Sequence, residues 1–226
     1  MKSLYICGDS FGYPDPEYGL CWVDLLSELL KNKYIVKNLC RVCASNLQIS
    51  TQIDRAIAED ADYIIYLMTT STREDVLHTN KVGKLISDRF TDITNKSDST
   101  DLTSYSVFSL DQTTILAEYQ LQLLKQYHTE FFDIDLTIYK NEIIIEGVLS
   151  RLVQSSISFV YDQGGFENSK FSGTKDKVYF KNYLTHKSVL NLWNFVHTKK
   201  HRPYFHIEDN TIHRAVAEYY FKLINE

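Results

Sequence analysis

The chain lacks the long apolar segments that would place it in or across a membrane. No stretch reaches the roughly 20 apolar residues that a membrane-spanning helix needs. The apolar run that follows the first lysine is too short for a signal peptide. We therefore expect a soluble, cytoplasmic protein that has no membrane partner.

The chain also lacks an excess of basic charge. Its 24 lysine and arginine residues are outnumbered by 29 aspartate and glutamate residues, which gives a formal net charge of −5. A dedicated nucleic-acid-binding protein needs a basic face. The sequence therefore predicts no nucleic-acid partner, and the basic cluster at 197–202 is typical of a solvated loop.

Cysteine is scarce, and its spacing does not favour a metal site. The four cysteines are Cys7, Cys21, Cys40 and Cys43, and in an intracellular protein they are expected to be thiols. Cys40 and Cys43 form one C-x-x-C pair. A zinc site would need a second such pair, and none is present. We expect neither a metal nor another cofactor.

Apolar residues, by contrast, are sufficient for a full core. They make up 44% of the 226 residues, and a chain of this size buries roughly 70% of its unfolded surface. Strand and helix periods alternate over the first 70 residues, with strands predicted at 2–7, 34–38 and 61–68. This β-α-β-α-β order predicts a parallel sheet in a three-layer α/β/α, flavodoxin-like fold.

The second half of the chain is less regular. Residues 87–114 are rich in serine, threonine and aspartate, and we predict an irregular insertion there within a single domain spanning 1–226. Further elements are predicted as helices at 115–127, 140–153 and 188–196, a strand at 157–161, and a final helix that begins after Asp209.

Small or polar residues follow each of the first three predicted strands. They are Gly8-Asp9-Ser10, the segment 43–46, and the segment 69–73. Sites in open parallel sheets lie at the carboxyl ends of the strands. This convergence favours Ser10 as a nucleophile over the alternative of a turn hydroxyl. A phosphate site is disfavoured, because Asp9 would repel phosphate and no glycine-rich loop with a lysine follows.

The segment GDSFG matches two hydrolase motifs. The nucleophile elbow of α/β-hydrolases comes after several strands, whereas only one predicted strand precedes Ser10. The better match is the SGNH, or GDSL-type, hydrolase superfamily, which has Gly-Asp-Ser directly after its first strand. VKNLCRVCASN resembles its second block, YIIYLMTTSTRED the third strand and polar loop of phage-type members, and HIEDNTIHRAVAEYYFKLI its C-terminal histidine and helix.

The resemblance implies a serine-dependent hydrolase of an acyl or acetyl ester, either a small molecule or a glycan, that works without a cofactor. Ser10 would be the nucleophile. Arg73, at the third strand end, is a candidate substrate contact. The oxyanion would be held by donors drawn from Ser10, Cys43, Asn46, Thr69 and Thr70.

The resemblance leaves the general base open between two histidines. His206 precedes the final helix and is favoured, whereas His213 lies inside it. The chain also departs from the family pattern: Cys43 replaces a glycine, the third-block asparagine is missing, and Pro203 stands where the orienting aspartate would be. These departures keep open a rival interpretation, a degenerate member that binds a protein or a glycan without turnover.

Overall fold

A computed structural model of the chain describes residues 1–13, 21–42, 44–69, 71, 73–77, 102–106, 126, 130, 133–162 and 210–225. The strands are β1 (Lys2–Cys7), β2 (Tyr34–Asn38), β3 (Tyr63–Leu67), β4 (Arg73–Leu77), β5 (Leu102–Ser106) and β6 (Ser158–Asp162). The helices are α1 (Trp22–Leu30), α2 (Asn46–Ala58), α3 (Ile134–Ser155) and α4 (Asn210–Asn225).

The main sheet contains four strands in the order β2-β1-β3-β6, and every neighbouring pair is parallel. Leu4 of β1 lies opposite Val36 of β2 on one side and Tyr63 of β3 on the other. The predicted parallel sheet is therefore confirmed. Each predicted strand is present, with bounds that differ by at most two residues at either end.

Helices cover both faces of this sheet. Leu4 and Ile6 of β1 pack in one cluster with α1 and α4, whereas Tyr5 and Cys7 pack in a second cluster with α2 and α3. Strands buried on both faces read as continuous apolar runs, which is why these strands could be recognised in the sequence. The three-layer α/β/α fold is confirmed.

The direction in which successive strands are added to the sheet reverses at β1. It leaves β1 for β2 on one side and then returns through α2 to β3 on the other side. The loops that follow β1 and β3 therefore start at a topological switch point, where open α/β sheets form their binding crevices. Ser10 lies in the first of these loops. In the part of the chain that is described, no helix is long and apolar enough to cross a bilayer.

Two elements differ from the sequence-based expectation. β5 lies within the insertion predicted to be irregular and pairs antiparallel with β4, a long-range pairing that local periodicity does not reveal. Helix α3 begins earlier than predicted, because the Asp133 side chain accepts hydrogen bonds from the N–H groups of Asp135 and Leu136. The helices predicted at 115–127, apart from Gln126, and at 188–196 lie outside the described residues.

The two glycines Gly8 and Gly147 make a matched test of this packing. A Cβ atom on Gly8 would lie 2.7 Å from Cβ of Leu67, so Gly8→Ala forces neighbouring strands apart. We expect it to destabilise the protein by about 1–3 kcal/mol. Gly147, within α3, would place its Cβ no closer than 3.5 Å to Arg151. Gly147→Ala should therefore stabilise the helix by about 0.5–1 kcal/mol. Urea unfolding of both variants measures these changes. Equal stabilities of the two variants would contradict the predicted difference in packing.

Candidate functional site

The loop that follows β1, residues 8–13, is called the serine loop here, and it folds back on itself. The N–H of Phe11 donates to Oδ1 of Asp9 over 3.1 Å, so the side chain of Asp9 closes a turn around Ser10. The N–H of Gly12 donates to the Asp9 carbonyl, and that of Tyr13 to the Ser10 carbonyl. The turn holds Ser10 at the carboxyl end of β1, where its side chain is half-buried.

The hydroxyl of Ser10 is not used by this turn. Neither the hydroxyl nor the backbone N–H of Ser10 makes a hydrogen bond within the described part of the chain. A buried structural serine normally satisfies its hydroxyl locally. The turn by itself therefore does not explain why a serine stands at this position.

Two side chains fasten the outer half of the serine loop. The indole Nε1 of Trp22 donates to the Phe11 carbonyl over 2.7 Å. Nδ2 of Asn38 donates to the Gly12 carbonyl, also over 2.7 Å. Because Trp22 opens α1 and Asn38 ends β2, the position of Ser10 is set by elements on both sides of the loop.

Helix α2 supplies two side-chain amides that pair with backbone at neighbouring strand ends. Gln52 accepts from the N–H of Gly8 over 2.8 Å and donates to the Gly8 carbonyl over 3.2 Å. Asn46 accepts from the N–H of Thr69 over 3.0 Å and donates to the Thr69 carbonyl over 3.2 Å. Each amide thus replaces the peptide partner that a longer strand would provide, and α2 fixes the ends of β1 and β3 together.

The carboxyl group of Asp9 joins the same two strand ends. Asp9 is fully buried, and its Oδ2 accepts a hydrogen bond from Oγ1 of Thr69 over 2.7 Å. Its Oδ1 is bound by the serine loop itself. Burying a carboxyl group is costly unless hydrogen bonds satisfy it. Asp9 therefore ties the shape of the serine loop to the position of Thr69.

The predicted oxyanion donors differ in whether they already make hydrogen bonds. Nδ2 of Asn46 donates to both Thr69 and Asn141, and the N–H and Oγ1 of Thr69 donate to Asn46 and Asp9. A donor role for either side chain would therefore require one of these bonds to break. The backbone N–H of Ser10 makes no hydrogen bond within the described part of the chain. Cys43, Thr70 and the side chain of Arg73 lie outside the described residues.

Of the two candidate bases, the structure describes only His213. Its Nδ1 accepts a hydrogen bond from the backbone N–H of Trp22 over 3.0 Å, and the side chain is buried between α4 and α1. Neutral imidazole with an accepting Nδ1 carries its proton on Nε2. In this arrangement His213 has no free lone pair with which to accept a proton from Ser10. His206 lies outside the described residues.

The described cysteines are buried thiols. Burial raises the pKa of Cys21 to about 11, and it also raises the pKa of Cys7 and of Cys40. A protonated thiol is neither a nucleophile nor a metal ligand. No cluster of three potential metal ligands occurs among the described residues.

The sequence interpretation missed three polar residues that shape the site: Gln52, Trp22 and Asn141. Gln52 and Asn46 are polar residues on the buried side of α2, an arrangement that runs against the usual apolar face. That mismatch is a signal in the sequence that could have pointed to Gln52. The partners of Asn141 and of the Trp22 indole come from other elements and leave no local pattern.

Comparison with known proteins identifies the fold. No protein-family model and no curated protein matches the chain. Solved structures do. A mutant of the acetylxylan esterase Axe2 from Geobacillus stearothermophilus is 12% identical, with a TM-score of 0.52 over 100% of this chain and 94% of that one. The esterase EstA from Pseudoalteromonas, in a form inhibited by monoethylphosphonate, is 9% identical, with a TM-score of 0.51 over 100% of both chains.

A third solved structure belongs to a protein of the G-D-S-L family. It is a protein placed in the G-D-S-L lipolytic family, from Desulfitobacterium hafniense, with 11% identity and a TM-score of 0.50 over 99% of both chains. The resemblance to SGNH, or GDSL-type, hydrolases is therefore confirmed in the fold. At 9 to 12% identity the likeness shows the fold alone.

The contact between His213 and Trp22 generates a stability prediction. His213→Ala leaves the buried N–H of Trp22 without an acceptor, and we expect a loss of about 1–3 kcal/mol in the free energy of unfolding. His213→Asn places an amide oxygen near the position of Nδ1 and should recover part of that loss. Urea unfolding with a circular dichroism readout measures both. An Ala variant as stable as the wild type would contradict a structural role for this histidine.

Proposed function

We propose that this chain, which has the fold of the SGNH hydrolases, is a serine-dependent ester hydrolase with Ser10 as its nucleophile. The observation that carries the proposal is the placement of Ser10. It lies at the switch point of the parallel sheet, half-buried, with its hydroxyl and N–H unbound within the described part of the chain. The esterases Axe2 and EstA share this fold and support the same reaction class.

The reaction would proceed in two acyl-transfer steps. Oγ of Ser10 attacks the ester carbonyl carbon while a histidine accepts its proton, and a tetrahedral oxyanion forms. The intermediate collapses, and the alcohol leaves with the proton from the histidine. Water, deprotonated by the same histidine, then attacks the acyl-enzyme and releases the carboxylic acid, which restores Ser10.

His206 is the general base in this proposal. The Nδ1 of His213 is already occupied by the N–H of Trp22, and its Nε2 carries the proton. His213 would have to give up that contact to act as a base. Since Pro203 stands where an orienting aspartate is expected, His206 would be oriented by another group, and we expect modest rates on simple esters.

The oxyanion would rest mainly on backbone donors. The N–H of Ser10 makes no hydrogen bond within the described part of the chain, so it can donate without breaking an existing bond. Backbone at Cys43, and side chains at Asn46, Thr69 or Thr70, complete the proposed set. One lost donor of this kind typically costs about 3–4 kcal/mol of transition-state stabilisation. Because Asn46 and Thr69 bind each other, this hole would be weaker than one with a free asparagine.

The proposed substrate is an acetyl or other short acyl ester of a small molecule or glycan. The support is the acetylxylan esterase among the proteins of the same fold. Arg73 is proposed as a substrate contact, because β4 begins at this residue, directly after the loop that follows β3.

The rival function is binding of a protein or glycan without turnover. One observation favours it: the side-chain donors predicted for the oxyanion, Asn46 and Thr69, are both engaged in structural hydrogen bonds. A fold kept for binding would show this arrangement too. The reactivity of Ser10 separates the two functions.

A fluorophosphonate probe provides that test. We expect a single covalent adduct on Ser10, located by peptide mass spectrometry, because the probe forms a phosphonyl ester with an activated serine. Ser10→Ala should abolish labelling and hydrolysis of p-nitrophenyl acetate. His206→Ala should slow both by about 10²–10⁴-fold, which is the usual contribution of a general base.

Ser150→Ala is the matched control, since this serine lies on α3 and contacts Gln154. It should label as the wild type does. A folded wild type that is not labelled at Ser10 would overturn the enzymatic proposal and favour the binding function. Loss of activity in His213→Ala but not in His206→Ala would instead show that the assignment of the base is wrong.

A further inference from the structure

Asn141 is a buried residue of α3, with 5% of its surface exposed. Its Oδ1 accepts a hydrogen bond from Nδ2 of Asn46 over 2.9 Å. Its own Nδ2 donates to the carbonyls of Ser71 and Thr137, each over 3.0 Å. One side chain therefore contacts α2, the loop that follows β3, and its own helix.

These contacts continue without interruption to the serine loop. The side-chain amide of Asn46 binds the backbone N–H and the backbone carbonyl of Thr69. Thr69 donates from Oγ1 to the buried carboxyl group of Asp9. Asp9 in turn closes the turn that holds Ser10. In this series of hydrogen bonds, Asn141 is the end member opposite the serine loop.

The orientation of the Asn46 amide depends on Asn141. An asparagine amide has two N–H donors and one carbonyl acceptor. Asn46 uses its carbonyl and one N–H on Thr69, so its second N–H needs another buried acceptor, which Asn141 supplies. Without that acceptor Asn46 would carry a buried, unsatisfied donor, a state that folded proteins avoid. Rotation of its amide would then release Thr69.

We propose that Asn141 is a positioning residue for the nucleophile. It holds Asn46 and Ser71, and through Thr69 and Asp9 it fixes where the Ser10 hydroxyl lies relative to the ester carbonyl. The inference rests on the proposed hydrolase function and deepens it. Asn141 would act through Asn46, Thr69 and Asp9, so its proposed role is positioning and not catalysis.

A purely structural role for Asn141 would mean that it only fastens α3 to α2. Arg151 provides the matched comparison, because it fastens the same two helices farther from the strand ends. Its Nη2 donates to Oγ of Ser50 over 2.6 Å, and its Nε lies 2.8 Å from Oδ1 of Asp54. Loss of Arg151 therefore reports what a loosened α2–α3 contact does by itself.

The test measures kcat and KM for p-nitrophenyl acetate together with thermal stability. In Asn141→Ala we expect kcat to fall by about 10-fold or more, with KM changed by less than about twofold, because displacement of the reacting atoms lowers the rate of chemistry more than binding. Arg151→Met should lower the melting temperature and leave kcat within about twofold of the wild type. If Asn141→Ala loosens the fold, Asn141→Ser is the smaller change.

A double-variant cycle with Asn46→Ala identifies the route. If Asn141 acts through Asn46, the double variant should be no slower than Asn46→Ala alone, since the contact is already lost. Amide hydrogen exchange gives a readout apart from activity: the N–H of Thr69 should lose protection in Asn141→Ala and keep it in Arg151→Met.

Two results would overturn the inference while leaving the hydrolase intact. One is a kcat for Asn141→Ala that matches that of Arg151→Met, and the other is a double variant whose losses simply add. Ser10→Ala as active as the wild type would be a different failure: the proposed function would be wrong, and this inference with it.

Discussion

The hydrogen bond from Thr69 to the buried carboxyl group of Asp9 is the contact on which the candidate site depends. Asp9 is fully buried beside Ser10, and a carboxyl group in that position is tolerated only while donors surround it. The same carboxyl group shapes the turn that presents Ser10. The cost of burying Asp9 and the position of Ser10 are therefore linked, because a shift of Thr69 changes both.

Helix α2 makes this arrangement rigid. Its two side-chain amides, Asn46 and Gln52, bind the backbone of Thr69 and Gly8 at the ends of the two central strands. A catalytic group works best when its supporting residues hold it on rigid elements. The polar contacts of Asn46 give that rigidity, and they also restrict its use as an oxyanion donor. In the proposed reaction, such a site would rely mainly on backbone N–H groups to stabilise the oxyanion.

The extent to which the sequence predicts this protein follows from the range of its contacts. The strands β1 and β3 were predictable because most of their residues are apolar and buried, and the place of Ser10 in the loop after β1 followed from that assignment. The contact of Asn46 with Asn141 joins residues 95 positions apart, and that of His213 with Trp22 joins residues 191 apart. The pairing of β5 with β4 also joins segments that are separated in the sequence. Such contacts leave no local period in the sequence. The sequence could therefore single out Asn46 as a candidate site residue but could not identify its hydrogen-bond partners.

A crystal structure of the protein after reaction with a phosphonate ester would test the central claim most directly. We expect phosphorus bonded to Oγ of Ser10, with a phosphonyl oxygen within hydrogen-bond distance of the Ser10 N–H. We also expect His206 to approach the adduct. An unmodified Ser10 in a folded protein would contradict the assignment of the nucleophile.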